Sequence, residues 1–196
     1  YPSSNQPLSE DDFTGEISPQ YFGVGWTKIY LEKMAEFFAG LGRTKFTVLR
    51  HSNIYGPHDK YDLEQSHMFG ATVTKVMTST DGKIVVWGEG EEARDLLHVR
   101  DLVNCVELSI ERQQEAFGLF NIGYGEAFTV KDVVMKIIAA SGRDIEITFD
   151  RTKPTIKTSL FLDCARASAA LGWYPQTSFQ NGVQSTLNWY RNAFSS

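Results

Sequence analysis

At 196 residues the chain is long enough for one domain or for one large piece of a two-domain enzyme. Its 42% hydrophobic and 22% charged residues are ordinary for a globular protein; no run of about 18 apolar residues suggests a membrane span, and Tyr1 to Asp12 lack the basic and apolar regions of a secretory signal. A net charge of -5 without a basic block argues against a nucleic-acid partner, and Cys105 and Cys164, far apart and without CxxC or Cys/His spacing, argue for reduced thiols in a cytoplasmic protein, with no disulfide framework and no metal site.

Residues 1–19 are rich in Ser, Pro, Asp and Glu and read as an irregular loop. From Gln20 to Leu41 the apolar residues Val24, Ile29, Leu31, Met34, Ala35, Phe38 and Leu41 recur at three- and four-residue steps, which predicts a long helix stopped by Gly42. Lys45–Arg50 predicts a β-branched strand, and Ser52–Glu64 is turn-rich. A helix over Ser66–Thr78 and a strand over Lys83–Trp87 follow, then a helix over Asp101–Arg112 with Asp101 as its N-cap. Leu119–Ile122 predicts a short strand, Thr129 caps a helix that runs to Ser141, and Ile145–Phe149 predicts another strand. Two helices, Ala165–Leu171 and Phe179–Phe194, close the chain. Strands and helices joined by short loops predict an α/β architecture with a largely parallel sheet.

A dinucleotide-binding unit opens with a strand, a glycine-rich turn and a helix whose amides hold the pyrophosphate. No such turn occurs here. Gly88 and Gly90 come nearest, but Glu89, Glu91 and Glu92 surround them and would repel a phosphate.

Three stretches carry a resemblance. Arg50-His51-Ser52-Asn53-Ile54-Tyr55-Gly56-Pro57 is similar to an R-P-x-N-x-Y-G-P segment, and Trp87-Gly88-Glu89-Gly90 with Arg94-Asp95-Leu96-Leu97-His98-Val99-Arg100-Asp101-Leu102 is similar to G-x-G-x-x-x-R-D-F-x-x-V-x-D-L. Asn121-Ile122-Gly123 and Leu171-Gly172-Trp173-Tyr174-Pro175 are similar to N-I-G and L-G-W-x-P. In this order they resemble the carboxy-terminal portion of extended short-chain dehydrogenases/reductases, the NAD(P)-dependent nucleotide-sugar epimerases and dehydratases. Gly56-Pro57-His58-Asp59-Lys60-Tyr61 with Ser66-His67-Met68 narrows the resemblance to the GDP-L-fucose synthase branch.

The resemblance implies the carboxy-terminal part of a Rossmann-type parallel sheet with a smaller α/β substrate-binding domain. Residues 1–56 and 98–123 would belong to the Rossmann-type domain, and 57–97 and 124–196 mainly to the substrate-binding domain. It further implies a GDP-4-keto-6-deoxy-hexose substrate, a cofactor that is NADP or NAD, and a homodimer. The strands that such a sheet needs before Tyr1 are expected in an amino-terminal dinucleotide-binding half absent from this chain, or an oligomer covers the gap. Among site residues, Lys28 takes the catalytic and cofactor-ribose position on the long helix, with His51 on the cofactor side in place of the usual Pro. His67 takes an epimerisation acid/base role, since histidine titrates near neutral pH. Asn53, Arg94 and Lys75 bind the nucleotide-sugar, the guanidinium being suited to a diphosphate. Beside this, Arg94 and Asp95 also fit a plain surface ion pair, and Trp87, Trp173 and Trp189 fit packing roles. One departure stands out: Val24, not Tyr, lies four residues before Lys28. Tyr21 could replace the missing phenol only if the backbone between it and Lys28 is not a regular helix. Two alternatives follow, a UDP- or dTDP-sugar epimerase/dehydratase and a non-catalytic nucleotide-sugar-binding remnant. The chain by itself is expected to be inactive.

Overall fold

The computed structural model describes residues 1–153 and 159–194. Within them the order is α1 (Phe22–Gly40), β1 (Phe46–His51), β2 (Asn53–Tyr55), α2 (Met68–Thr78), β3 (Lys83–Trp87), β4 (Ala93–His98), α3 (Val99–Arg112), β5 (Phe117–Ile122), β6 (Ala127–Thr129), α4 (Val130–Ser141), β7 (Glu146–Asp150), α5 (Ala165–Leu171) and α6 (Phe179–Phe194). No helix among them is long and apolar enough to cross a membrane.

The strands form small sheets that pass the chain from one to the next. β1 pairs in parallel with β5, Arg50 opposite Asn121. After Ser52 the chain bends and β2 joins a second sheet, ordered β2-β4-β6, parallel to β4. β6 is antiparallel to β4, and β3 and β7 pair in parallel with Trp87 opposite Asp150. Parallel pairs with helical crossovers dominate, as the alternating sequence predicts. β2 lies inside the segment expected to be turns, and β4 and β6 are further strands; β2 and β6 have only three residues each, and β4, buried at nearly every position, shows no alternation.

Two apolar cores result. The larger joins α2, α4 and α6 to β3 and β4 around Val73, Val76, Val133, Val134, Ile137, Val183 and Leu187. The smaller places Leu97, Cys105, Phe120, Ile122, Ala167, Leu171 and Trp173 between α3, α5 and β5. α6 approaches β2 so closely that a methyl group at Gly182 would collide with the Tyr55 hydroxyl.

Helix ends follow local chemistry. Pro19 opens a short 3-10 turn that leads into α1, and the Thr129 side chain accepts the Asp132 N–H to cap α4, which ends at left-handed Gly142. The cap of α3 is not Asp101. His98 caps it, its Nδ1 accepting the Arg100 N–H at 3.2 Å. Asp101 sits in the first turn, and its carboxylate accepts the N–H groups of Gln176 and Thr177 at 3.2 and 3.1 Å. Trp173 Nε1 donates to the Asp101 carbonyl at 3.0 Å, so one residue ties two distant sequence motifs together.

Candidate active site

In open α/β sheets ligands bind beyond the carboxyl ends of the strands. β1 ends at His51 and runs into Asn53; β3 and β7 end side by side at Trp87 and Asp150. Arg50 fixes α1 against the end of β1. Its guanidinium donates to both carboxylate oxygens of Glu32 at 2.9 and 2.7 Å, to the Tyr1 hydroxyl at 2.9 Å and to the Glu10 carbonyl at 3.0 Å.

Lys28 lies on the exposed surface of α1, four residues before the Arg50-bound Glu32. The helix is continuous from Phe22, and Tyr21 is its N-cap. The irregular backbone that would carry Tyr21 to Lys28 is therefore absent, and the two residues stand two turns, about 10 Å, apart along the axis. Among the described residues no hydrogen bond joins Lys28 to Tyr21. Val24, in the position of the family phenol, is half exposed and offers no proton.

His67 is exposed and stands at the N-cap of α2, where its side chain makes no cap bond. His51 is exposed too, with Nδ1 2.8 Å from the Ser52 carbonyl. His98 is different: it is buried against Tyr55 and next to Ser185 of α6, and burial pushes its pKa below the usual imidazole range. Cys105 and Cys164 are free thiols that burial pushes up to about 11 and about 12, which keeps both protonated at neutral pH.

The residues expected on the substrate side fall into two groups. In the first, Asn53 Nδ2 reaches the main-chain carbonyl of Asp95 at 3.4 Å, next to Arg94 on β4. Among the described residues Asp95 is not the surface partner of Arg94: it is 1% exposed, and its carboxylate accepts the N–H groups of Tyr124, Gly125 and Leu162 at 2.7, 3.2 and 3.1 Å. Burial raises its pKa while those donors oppose the rise. In the second group, Lys75 leaves the last turn of α2, donates to the Val85 carbonyl at 2.9 Å and has its pKa lowered by burial. Its ammonium lies 6.0 Å from the centre of the Trp87 ring, and Lys153 lies 5.8 Å from the same ring. Trp87 is 54% exposed, so it is a ledge rather than a packing residue. Trp173, by contrast, is buried, and Trp189 packs on Tyr61 and His58.

The sequence reading did not pick out Trp87 or Lys153 as site candidates, and it took Asp95 only as a surface partner of Arg94. An exposed indole with cations over its face suits stacking on a base and contact with a diphosphate. The alternation of KIVVW, which sends Trp87 to the same face as exposed Lys83 and Val85, was the available signal for the first. Nothing local marks Lys153, whose partner is far away in sequence, or tells a buried Asp95 from a surface one.

Known proteins resemble this chain along most of its length. The chain is 28% identical to the GDP-L-fucose synthase of Escherichia coli (strain K12), covering 97% of this chain and 63% of that enzyme. It is 27% identical to a dTDP-4-dehydro-6-deoxy-D-allose reductase of a Streptomyces species, over 93% of this chain and 54% of the relative. Among solved structures it superposes on the UDP-glucose 4-epimerase of Thermotoga maritima, bound to UDP-glucose, with a TM-score of 0.81, 28% identity and coverage of 97% of this chain and 59% of that one. The chain thus spans less than two thirds of the length of these relatives. Residues 1–123 match the NAD dependent epimerase/dehydratase family, and the chain belongs to it.

Proposed function

We propose that this chain forms the substrate-binding part of a nucleotide-sugar epimerase/reductase that acts on a GDP-4-keto-6-deoxy-hexose with NADPH. The observation that carries the reading is the exposed Trp87 ring flanked by Lys75 and Lys153 at the paired ends of β3 and β7. In this reading the base lies on the indole, Lys75, Lys153 and Arg94 neutralise the diphosphate, and Asn53 orients the sugar side. His67, exposed at the head of α2, moves a proton at the carbon next to the ketone. Lys28 would hold the nicotinamide ribose of the cofactor, which supplies the hydride when bound. The glycine-rich turn for its pyrophosphate is not part of this sequence. GDP is favoured over UDP and dTDP by the similarity to GDP-L-fucose synthases. A second copy packed on the apolar face of α1 makes the active form a homodimer in the cytoplasm.

Val24 supports a second reading. With valine at the phenol position and Tyr21 two helical turns away, the chain lacks the usual proton donor and would serve as a nucleotide-sugar-binding remnant. Melting this chain with GDP, UDP, dTDP and NADPH in turn separates these readings, since a ligand bound only by the folded state raises Tm. A rise with GDP alone is the expected result. A rise with UDP or dTDP instead reassigns the substrate, and no rise with any nucleotide overturns the site. The purified chain is expected not to oxidise NADPH with a GDP-4-keto-6-deoxy sugar, and turnover would refute the remnant reading.

A further inference from the structure

Asp95 is a fully buried carboxylate to which the chemistry above gives no task. It stands on β4 between Arg94 and Leu96, and alternation along a strand sends its side chain to the face opposite Arg94. On that face its two oxygens gather three main-chain N–H groups from two separate stretches, the turn after β5 and the segment around Leu162. Both stretches are tied further. Leu162 forms a bridge with Leu8, the Leu8 N–H donates to the Phe161 carbonyl at 3.0 Å, and the Cys164 thiol meets the Gly123 N–H at 3.1 Å. Gly123 approaches so closely that a methyl group there would strike the Asp95 carboxylate. On its main-chain side, the carbonyl of the same residue receives the Asn53 amide.

We infer that Asp95 is a positioning residue that aims Arg94 and Asn53 at the nucleotide-sugar. The inference rests on the proposed role of those two residues in ligand binding. Held by three N–H groups, the carboxylate fixes the roll of β4, and the roll of β4 sets where the guanidinium of Arg94 points and where the carbonyl that orients Asn53 sits. A hydrogen bond to a carboxylate is among the strong ones, and three of them leave the strand little freedom. Asp95→Asn is nearly isosteric but carries one acceptor oxygen in place of two. Its amide would turn a donor toward the N–H of Gly125 and Leu162, so donor would face donor.

The test is a double-mutant cycle on GDP binding by this chain, with UDP in parallel, measured by calorimetry. D95N is expected to weaken the better nucleotide about tenfold, the order of one lost charge-assisted contact. In an N53A/R94A background the same change is expected to alter the Kd less than about twofold, because the residues through which it acts are gone. A merely structural carboxylate would give the same fold-change in both backgrounds, and that outcome overturns the inference. So does a D95N chain that binds as wild type. If D95N does not fold, G123A displaces the carboxylate without removing it and is held to the same criterion. A wild-type chain that binds neither nucleotide overturns the substrate reading and this inference together, whereas wild-type binding with additive losses overturns the inference alone.

Discussion

α1 and α4 are both apolar helices of more than ten residues, and the fold treats them differently. On α4, Val130, Val133, Val134 and Ile137 are all buried, three of them completely. On α1 the only buried residue is Ala39, while Phe22, Tyr30 and Phe37 are each more than 60% exposed. At 100° per residue, Phe22, Trp26, Tyr30, Phe37, Leu41, Phe38, Leu31 and Val24 spread over about 200° of the helix surface. A helix apolar around so much of its surface is built to be covered on more than one side. β1 and β5 cover one side of α1, and among the described residues Phe22, Val24, Trp26, Tyr30, Leu31, Phe37 and Phe38 stay exposed. A three- and four-residue rhythm therefore shows that a helix buries a face, and the width of the apolar face shows how many neighbours it needs.

The comparison breaks most readily at paired leucines. Leu187 of α6 is wholly buried in the larger core, and Leu187→Ala is expected to cost about 2–5 kcal/mol in urea unfolding. Leu31 of α1 is 59% exposed, and Leu31→Ala is expected to stay within about 0.5 kcal/mol. Similar losses at the two sites would mean that the α1 face is covered in solution. Repeating Leu31→Ala over a range of protein concentrations would then show whether the cover is a second copy, since only an associating face gives a concentration-dependent loss.

A smaller contrast lies in two helical glycines. Gly182 of α6 faces the Tyr55 hydroxyl without room for a methyl group, so Gly182→Ala is expected to cost about 1–3 kcal/mol. Gly40, in the last turn of α1, has nothing within 4 Å of the place a methyl group would occupy. Gly40→Ala is expected to add about 0.4–1 kcal/mol by restricting the unfolded chain. Thermal unfolding of both variants reads the opposite signs directly, and a loss at Gly40 would again point to a neighbour on α1.

What the sequence disclosed, and what it withheld, follows the same division. α1, α2, α4, α5 and α6 are legible because helical patterning is a local signal, and α1, α4 and α5 are followed by the stop glycines Gly42, Gly142 and Gly172. β2, β4 and β6 are not legible, since β2 and β6 have three residues each, β4 is buried on both faces without alternation, and their partners are set by tertiary pairing. Asp101 has the side chain of a favoured N-cap, which is why the sequence places the cap there rather than at His98. The backbone turned earlier, and Asp101 took the Gln176 and Thr177 amides instead. At the candidate site, motif and charge are what single out Asn53, Arg94 and Lys75 in the sequence. The exposure of Trp87 follows from the alternation of its strand, whereas the surroundings of Lys153 and Asp95 depend on where distant segments land, which no local pattern encodes.

A pH-dependent effect belongs to His98, which stands where the two cores meet. It caps α3 beside the smaller core, while its ring stacks edge-on against Tyr55 of the larger one at 5.4 Å and its Nε2 lies 3.3 Å from Ser185 Oγ. Nδ1 accepts the Arg100 N–H, so the neutral ring carries its proton on Nε2 and donates to Ser185. Burial lowers the pKa of this ring in the folded chain; the Asp101 carboxylate opposes that shift and Arg100 adds to it. A base with a folded pKa below its unfolded value binds more protons unfolded, so the neutral ring contributes stability above about pH 6.5 that is lost as pH falls through the lowered folded value. The slope this one group can add is at most about 1.4 kcal/mol per pH unit. His98→Gln, which keeps an amide able to cap and to meet Ser185 but does not titrate, is expected to flatten the stability difference between pH 7 and pH 5. Equal slopes for both proteins would show that protonation of this joint is not what loosens the two cores in acid.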